Sequence, residues 1–183
     1  MKIRLDRLFL SALVAMFGAL TPLAASAKPA PPQPVVLATG WRMQFANKVA
    51  QPAKQISAAG FNASGWYAAT VPGTVLTTLV DDHVYPEPLY GENIRPNVIP
   101  ESLAHTSYWY RTVIRVPRDY RGRRVWLNFD GINFSANVWV NGVEMGTIRG
   151  AFIRGLFDIT DEVRPGKEAV VAVFVSPQPH PGV

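Results

Sequence analysis

Between Ile132 and Asn141 the sequence alternates without a break, and one side of the alternation carries Asn133, Ser135, Asn137, Trp139 and Asn141. Carboxamides and a hydroxyl exchange hydrogen bonds with sugar hydroxyls, and an indole stacks on the C–H face of a pyranose. Asn137 and Trp139 are therefore candidates for a sugar-contacting face, and the same face equally suits water or a neighbouring domain. Other chemistry-bearing groups are sparse. His83, His105 and His180 lie far apart and there is no cysteine, so no metal-ligand spacing is present. The sequence has neither a G-x-S-x-G elbow nor a phosphate-cradling Gly-rich loop that ends in Lys and Ser or Thr. A glycosidase needs two carboxyl groups about 5–9.5 Å apart across a cleft. Asp81, Asp82, Asp119, Asp161 and Glu162 sit beside turns or short helices, and no pair falls in an evidently buried polar site. No catalytic residue, metal ligand or cofactor is assigned to this chain.

The elements that must position these groups are mostly strands. Val125, Leu127 and Phe129 alternate with Trp126, Asn128 and Asp130; Tyr108, Tyr110, Ile114 and Val116 alternate with Trp109, Arg111, Val113 and Arg115. Val35 to Phe45 contains a first strand with Trp41, Met43 and Phe45 on one side. Ala169 to Val175 is apolar throughout, the pattern of a central strand buried on both faces. Ile132, Phe134, Ala136, Val138 and Val140 supply the core side of the Asn/Trp strand. Asn141-Gly142 at its end is the signal of a type I′ hairpin turn, in which both central residues take positive φ. Thr74, after Pro72-Gly73, is a candidate N-cap for a short helix over Thr74 to His83. Tyr85 to Pro100, with four prolines, is too long and irregular for a simple turn, and long loops on rigid sandwiches tend to hold binding groups. The expected class is all-β.

Composition bounds the rest. Lys2, Arg4 and Arg7 precede an apolar run from Leu8 to Leu20 and a small-residue site at Ala25-Ser26-Ala27, the pattern of a cleaved secretory leader over residues 1–27. A periplasmic or secreted location follows as an expectation. The run is short against the roughly 20 residues of a membrane-spanning helix. Residues 28–39, proline-rich at their start, form an expected linker, residues 40–176 a single domain, and residues 177–183 the start of a following segment. The formal net charge is +5, of which +2 belongs to the leader. Arg118, Arg121, Arg123 and Arg124 surround turn residues Pro117, Asp119, Tyr120 and Gly122, which favours a solvated loop over a nucleic-acid patch.

Five pieces in a fixed order carry a resemblance. They are Val71-Pro72-Gly73-Thr74, Glu87-Pro88-Leu89-Tyr90-Gly91-Glu92-Asn93, Tyr108-Trp109-Tyr110-Arg111, Phe129-Asp130-Gly131 running to Val138-Trp139-Val140-Asn141-Gly142, and Phe157-Asp158-Ile159-Thr160. Together they resemble the N-terminal sugar-binding domain of glycoside hydrolase family 2, in its β-mannosidase and exo-β-glucosaminidase branch, over about Gly40 to Ser176. The resemblance implies a jelly-roll β-sandwich of the galactose-binding-like type. It also implies that the catalytic acid and nucleophile are two Glu on a later (β/α)₈ barrel, beyond an immunoglobulin-like domain. These downstream domains and a β-linked glycan are then the expected partners, and this chain a non-catalytic fragment. Tyr90 and Asn93 match the family's Y-G-x-N loop, whose Asn reaches towards the terminal sugar. Glu87, where the branch tends to have Asp, and Glu168-Ala169, where the family often has Asn, depart from its pattern. The alternative is an autonomous carbohydrate-binding or adhesion module that uses the Asn137/Trp139 face directly.

Overall fold

The computed structural model describes residues 31–179. The leader read at residues 1–27 lies outside the described residues, as do His180 and residues 181–183. Eight strands and two short helices follow in the order β1 (Arg42–Phe45), α1 (Ala53–Ile56), β2 (Tyr67–Ala68), α2 (Val75–Asp81), β3 (Tyr108–Arg115), β4 (Trp126–Phe129), β5 (Ser135–Val140), β6 (Val143–Arg149), β7 (Gly155–Asp158) and β8 (Glu168–Ser176). Six of the strands form one antiparallel sheet in the order β2-β1-β3-β8-β5-β6, and β4 pairs with β7 in a second, two-stranded sheet. This is the all-β sandwich expected from the alternating runs.

The core follows from the period of each strand. Ala136, Val138 and Val140 of β5 and Ala169, Val171 and Val173 of β8 point inwards and meet Leu127 and Val125 beneath the small sheet. β8 is central, flanked by β3 and β5, and its other face is filled as well: Val170 and Ala172 are buried with their inward neighbours. A strand covered on both sides needs apolar residues at every position, which is what Ala169 to Val173 provide. Under the β1 end of the large sheet, Leu79 of α2 packs on Met43 and Tyr108. Thr74 caps α2 by accepting a hydrogen bond from the Thr77 N–H at 3.0 Å, a contact worth about 1 kcal/mol.

The first strand begins at Arg42, seven residues later than the start of the apolar run at Val35. Gly40 takes φ +76°, which breaks the extended backbone before the pairing starts. The stretch before it is nevertheless tied down. Leu37 packs against the core and its carbonyl accepts from the Trp41 indole at 2.7 Å, and the Tyr120 hydroxyl donates to the Gln33 carbonyl at 2.9 Å. The expected turn at Asn141-Gly142 has φ +49° and +89°, the left-handed pair that a type I′ hairpin requires.

Candidate functional site

Strand register sorts the connections into two groups. Phe45, Tyr108, Val175, Ala136 and Ile148 lie level across the large sheet, and Phe129 pairs with Gly155 in the small one. The segment Tyr85–Ser107, the loop Asp130–Phe134 and the loop Gly150–Arg154 therefore gather at the end where β8 runs out. The opposite end holds the β3–β4 connection, the Asn141-Gly142 turn and the β7–β8 connection. An open groove beside β4 leads into the first of these ends, lined by Ile99, Leu103, Tyr110, Phe129, Ile132 and Val175.

The Tyr85–Pro100 loop is anchored at both ends and open in the middle. Tyr85 packs with the Met43, Leu79 and Tyr108 cluster, and Ile99 is buried. Between them the chain folds back on itself: Asn93 N–H donates to the Tyr90 carbonyl at 3.2 Å, and Asn93 Nδ2 donates to the Glu87 carbonyl at 2.9 Å. Glu87 Oε1 accepts from the Leu89 N–H at 3.3 Å. Gly91, at φ +54°, supplies the reversal between Tyr90 and Asn93. The bond to Glu87 fixes the Asn93 carboxamide, and no described residue donates to its Oδ1. Tyr90 is 73% exposed and Leu89 89%, so both side chains stand clear of the loop that carries them. Glu92 and Arg95 form an exposed ion pair one helical turn apart.

Asn137 and Trp139 sit elsewhere, on the outer face of the large sheet. Asn137 Nδ2 donates to Thr147 Oγ1 and to Glu144 Oε1, each at 3.1 Å, across the hairpin. Trp139 packs against Trp109 of β3 with ring centroids 5.3 Å apart, and Phe174 of β8 lies 5.0 Å from Trp109. The chain's own segment from Ala46 to Trp66 covers this aromatic row through Ile56, Ala63 and Trp66. The structure thus separates the two groups of candidates: Tyr90, exposed, and Asn93, half-buried, share the Tyr85–Pro100 loop, whereas Trp139 is half-buried in a second small core.

Two further positions hold this frame, Arg111, to which the sequence assigned no role, and Asn141, to which it assigned only the hairpin turn. Arg111 is buried on the outer face of β3 and donates to the carbonyls of Ile56 and Ala58. The only hint in the sequence is its position, in phase with Trp109 in a strand whose other side is Tyr108 and Tyr110. Asn141 does more than turn the chain: its Nδ2 donates to the Glu162 carbonyl at 2.6 Å and its Oδ1 accepts from the Val170 N–H at 2.8 Å. Among the described residues no group of three His, Cys, Asp or Glu is placed to hold a metal ion.

Comparison with known proteins places this geometry in a family. The family described as glycosyl hydrolase 2 galactose-binding domain-like matches residues 41–180. An exo-β-D-glucosaminidase of Streptomyces avermitilis is 35% identical over 135 residues, 72% of this chain and 14% of the relative. A second, from Amycolatopsis orientalis, is 33% identical over 158 residues, 81% of this chain and 15% of the relative. The crystal structure of the Amycolatopsis orientalis exo-chitosanase superposes with a TM-score of 0.67 at 30% identity, covering 78% of this chain and 16% of that one. The chain therefore spans about one-seventh of the curated relatives that it matches. It belongs to the glycosyl hydrolase 2 galactose-binding domain-like family.

Proposed function

We propose that this chain is the non-catalytic, sugar-site domain of an exported glycoside hydrolase acting on β-linked glycosides, with Asn93 contacting the terminal sugar. The observation that carries this reading is the placement of the Asn93 carboxamide. One of its N–H groups is tied to the Glu87 carbonyl, which fixes its direction, while Oδ1 remains available as an acceptor. Its loop belongs to the segment that enters β3 at the end where β8 runs out. A side chain already held by its own loop loses little freedom when it binds a hydroxyl.

The rest of that end supports a neighbouring domain. Leu89, Tyr90, Ile94 and Phe152 are exposed there, apolar area of the kind that an interdomain contact buries. The relatives that align with this chain are many times longer, which fits an immunoglobulin-like domain and a barrel on the C-terminal side. The exo-β-D-glucosaminidase names of two of them favour an amino-sugar or related β-glycoside as substrate. Export rests on the basic, apolar and small-residue pattern of residues 1–27.

Two measurements test the proposal. The 183-residue chain, purified, is expected to show no turnover of aryl β-glycosides; turnover abolished by a single carboxylate substitution overturns the non-catalytic assignment. In the complete hydrolase, Asn93→Ala is expected to lower kcat/KM by about tenfold or more, the loss of one oriented polar contact to the sugar. An unchanged kcat/KM removes Asn93 from the site.

A further inference from the structure

We propose that the outer face of β4–β7, with the Arg118–Arg124 loop, is a second glycan surface selective for a carboxylated polysaccharide. It lies at the opposite end of the sandwich from the Asn93 loop and is independent of the function proposed above. Trp126 starts β4 between buried Val125 and buried Leu127, so its indole points away from the core and is 50% exposed. Its partner directly across the ladder is Asp158. Arg124, in phase with Trp126, pairs with the same carboxylate, Nη1 to Oδ2 at 3.7 Å. An indole and a guanidinium are thus brought to one patch of surface.

The patch adjoins a shallow hollow lined by Tyr120, Arg123, Arg124, Val125, Thr160 and Val163. Asp158 is an incomplete counter-ion for it. Its Oδ1 already accepts from the Thr160 hydroxyl at 2.5 Å and the Thr160 N–H at 3.1 Å, and Oδ2 lies at the long edge of an ion pair. Arg118, Arg121 and Arg123 are exposed and form no ion pair among the described residues. Arg118 is held along the turn at Gly166, where an added Cβ would stand 3.0 Å from its Cγ. Four arginines in seven residues are opposed within the loop by Asp119 alone.

Chemistry then narrows the ligand. An exposed indole offers an apolar, polarisable face to the C–H side of a sugar ring. The guanidinium fork matches a carboxylate with two parallel hydrogen bonds, which an ammonium does not. A neutral glycan would leave the arginines unused, and a cationic amino-sugar polymer would be repelled by them. A uronate-bearing chain uses both features, with one ring on Trp126 and carboxylates at Arg123 and Arg124.

Affinity electrophoresis and calorimetry on the purified protein, at low and at physiological salt, test this. Polygalacturonate is expected to retard the protein and neutral dextran not to. The double substitution Arg123→Gln, Arg124→Gln is expected to weaken binding about tenfold or more, and Arg123→Lys, Arg124→Lys to recover only part of it. Trp126→Gln, which keeps every charge, is expected to weaken binding several-fold, by about the value of one stacking contact. Thermal melting confirms that each variant is folded; the three positions are exposed, so the melts should coincide. No retardation by polygalacturonate, equal retardation by dextran, or full binding by Trp126→Gln overturns the proposal. Tighter binding of dextran sulfate or single-stranded DNA than of polygalacturonate overturns it too, since either outcome describes a plain polyanion surface.

Discussion

The Nε of Arg111 donates to the Ile56 carbonyl at 2.9 Å and its Nη2 to the Ala58 carbonyl at 3.0 Å, so a side chain of the central sheet closes the end of α1. A single helical turn cannot satisfy its own last carbonyls. Here a cation does so from below, with the Phe61 ring 5.8 Å from the guanidinium carbon. Burial lowers the Arg111 pKa, and among the described residues no carboxylate lies near enough to form an ion pair. The cost of desolvating the charge is offset by a hydrogen bond to the Ile56 carbonyl, which has no other donor among the described residues, and by a second to the Ala58 carbonyl, which also accepts from the Phe61 N–H at 3.2 Å.

Replacing Arg111 with Leu should therefore lower the unfolding free energy by about 2 kcal/mol, because the buried Ile56 carbonyl loses its charged donor and the half-buried Ala58 carbonyl loses one of its two donors. Arg111→Lys should recover less than half of it, since one ammonium cannot span both carbonyls. Urea denaturation of the three proteins measures this. A Leu variant as stable as the parent would show that α1 and the Ala46–Trp66 segment do not depend on the pin.

Asn141 makes a similar link on the other flank, and its two functions can be pulled apart. Asn141→Gly keeps the left-handed turn but loses the bonds to Glu162 and Val170, and should cost about 1–2 kcal/mol. Asn141→Ala loses the same bonds and also forces a Cβ into φ +49°, which adds roughly 1 kcal/mol. The expected order of denaturation midpoints is Asn, then Gly, then Ala. A Gly variant equal to the parent would mean that the turn alone explains Asn141.

These two residues show where the sequence was and was not legible. The positive φ at Asn141 was, because a hairpin turn is decided by adjacent residues. So was the buried side of β4, because alternation at Val125, Leu127 and Phe129 fixes the inward face wherever the strand is placed. The sandwich itself could be read from such patterns and from the order of motifs. The partners of Arg111 could not: Ile56 lies 55 residues away, and nothing local says that α1 will cross beneath β3. Trp139 is the same case. Its alternation correctly separates it from the core residues Val138 and Val140, but the packing on Trp109 exists only because β8 joins β3 to β5. In the Tyr85–Pro100 loop the irregularity was visible, whereas the bond from Asn93 to the Glu87 carbonyl depends on how the loop folds back.

Two phenols inside the sandwich give the fold a predicted alkaline limit. Burial pushes the Tyr108 hydroxyl up to about 12, with the neighbouring Tyr110 adding to the effect. Burial likewise pushes Tyr110 up to about 12. Tyr108 also donates to the Leu103 carbonyl at 2.9 Å, a bond that its phenolate cannot make. In the unfolded chain both groups ionise near 10, so above that pH the unfolded state binds fewer protons than the folded one, and stability falls as pH rises. The stabilising contribution should be complete below pH 10 and be lost between pH 10 and about 12. Absorbance at the phenolate band should show two of the six tyrosines resisting ionisation until the protein unfolds. Unfolding free energies measured at intervals across that range should decline, and Tyr110→Phe should flatten part of the decline because it removes one of the two late-ionising groups. A Tyr110→Phe protein with the parent's alkaline profile would place the loss of stability elsewhere in the chain.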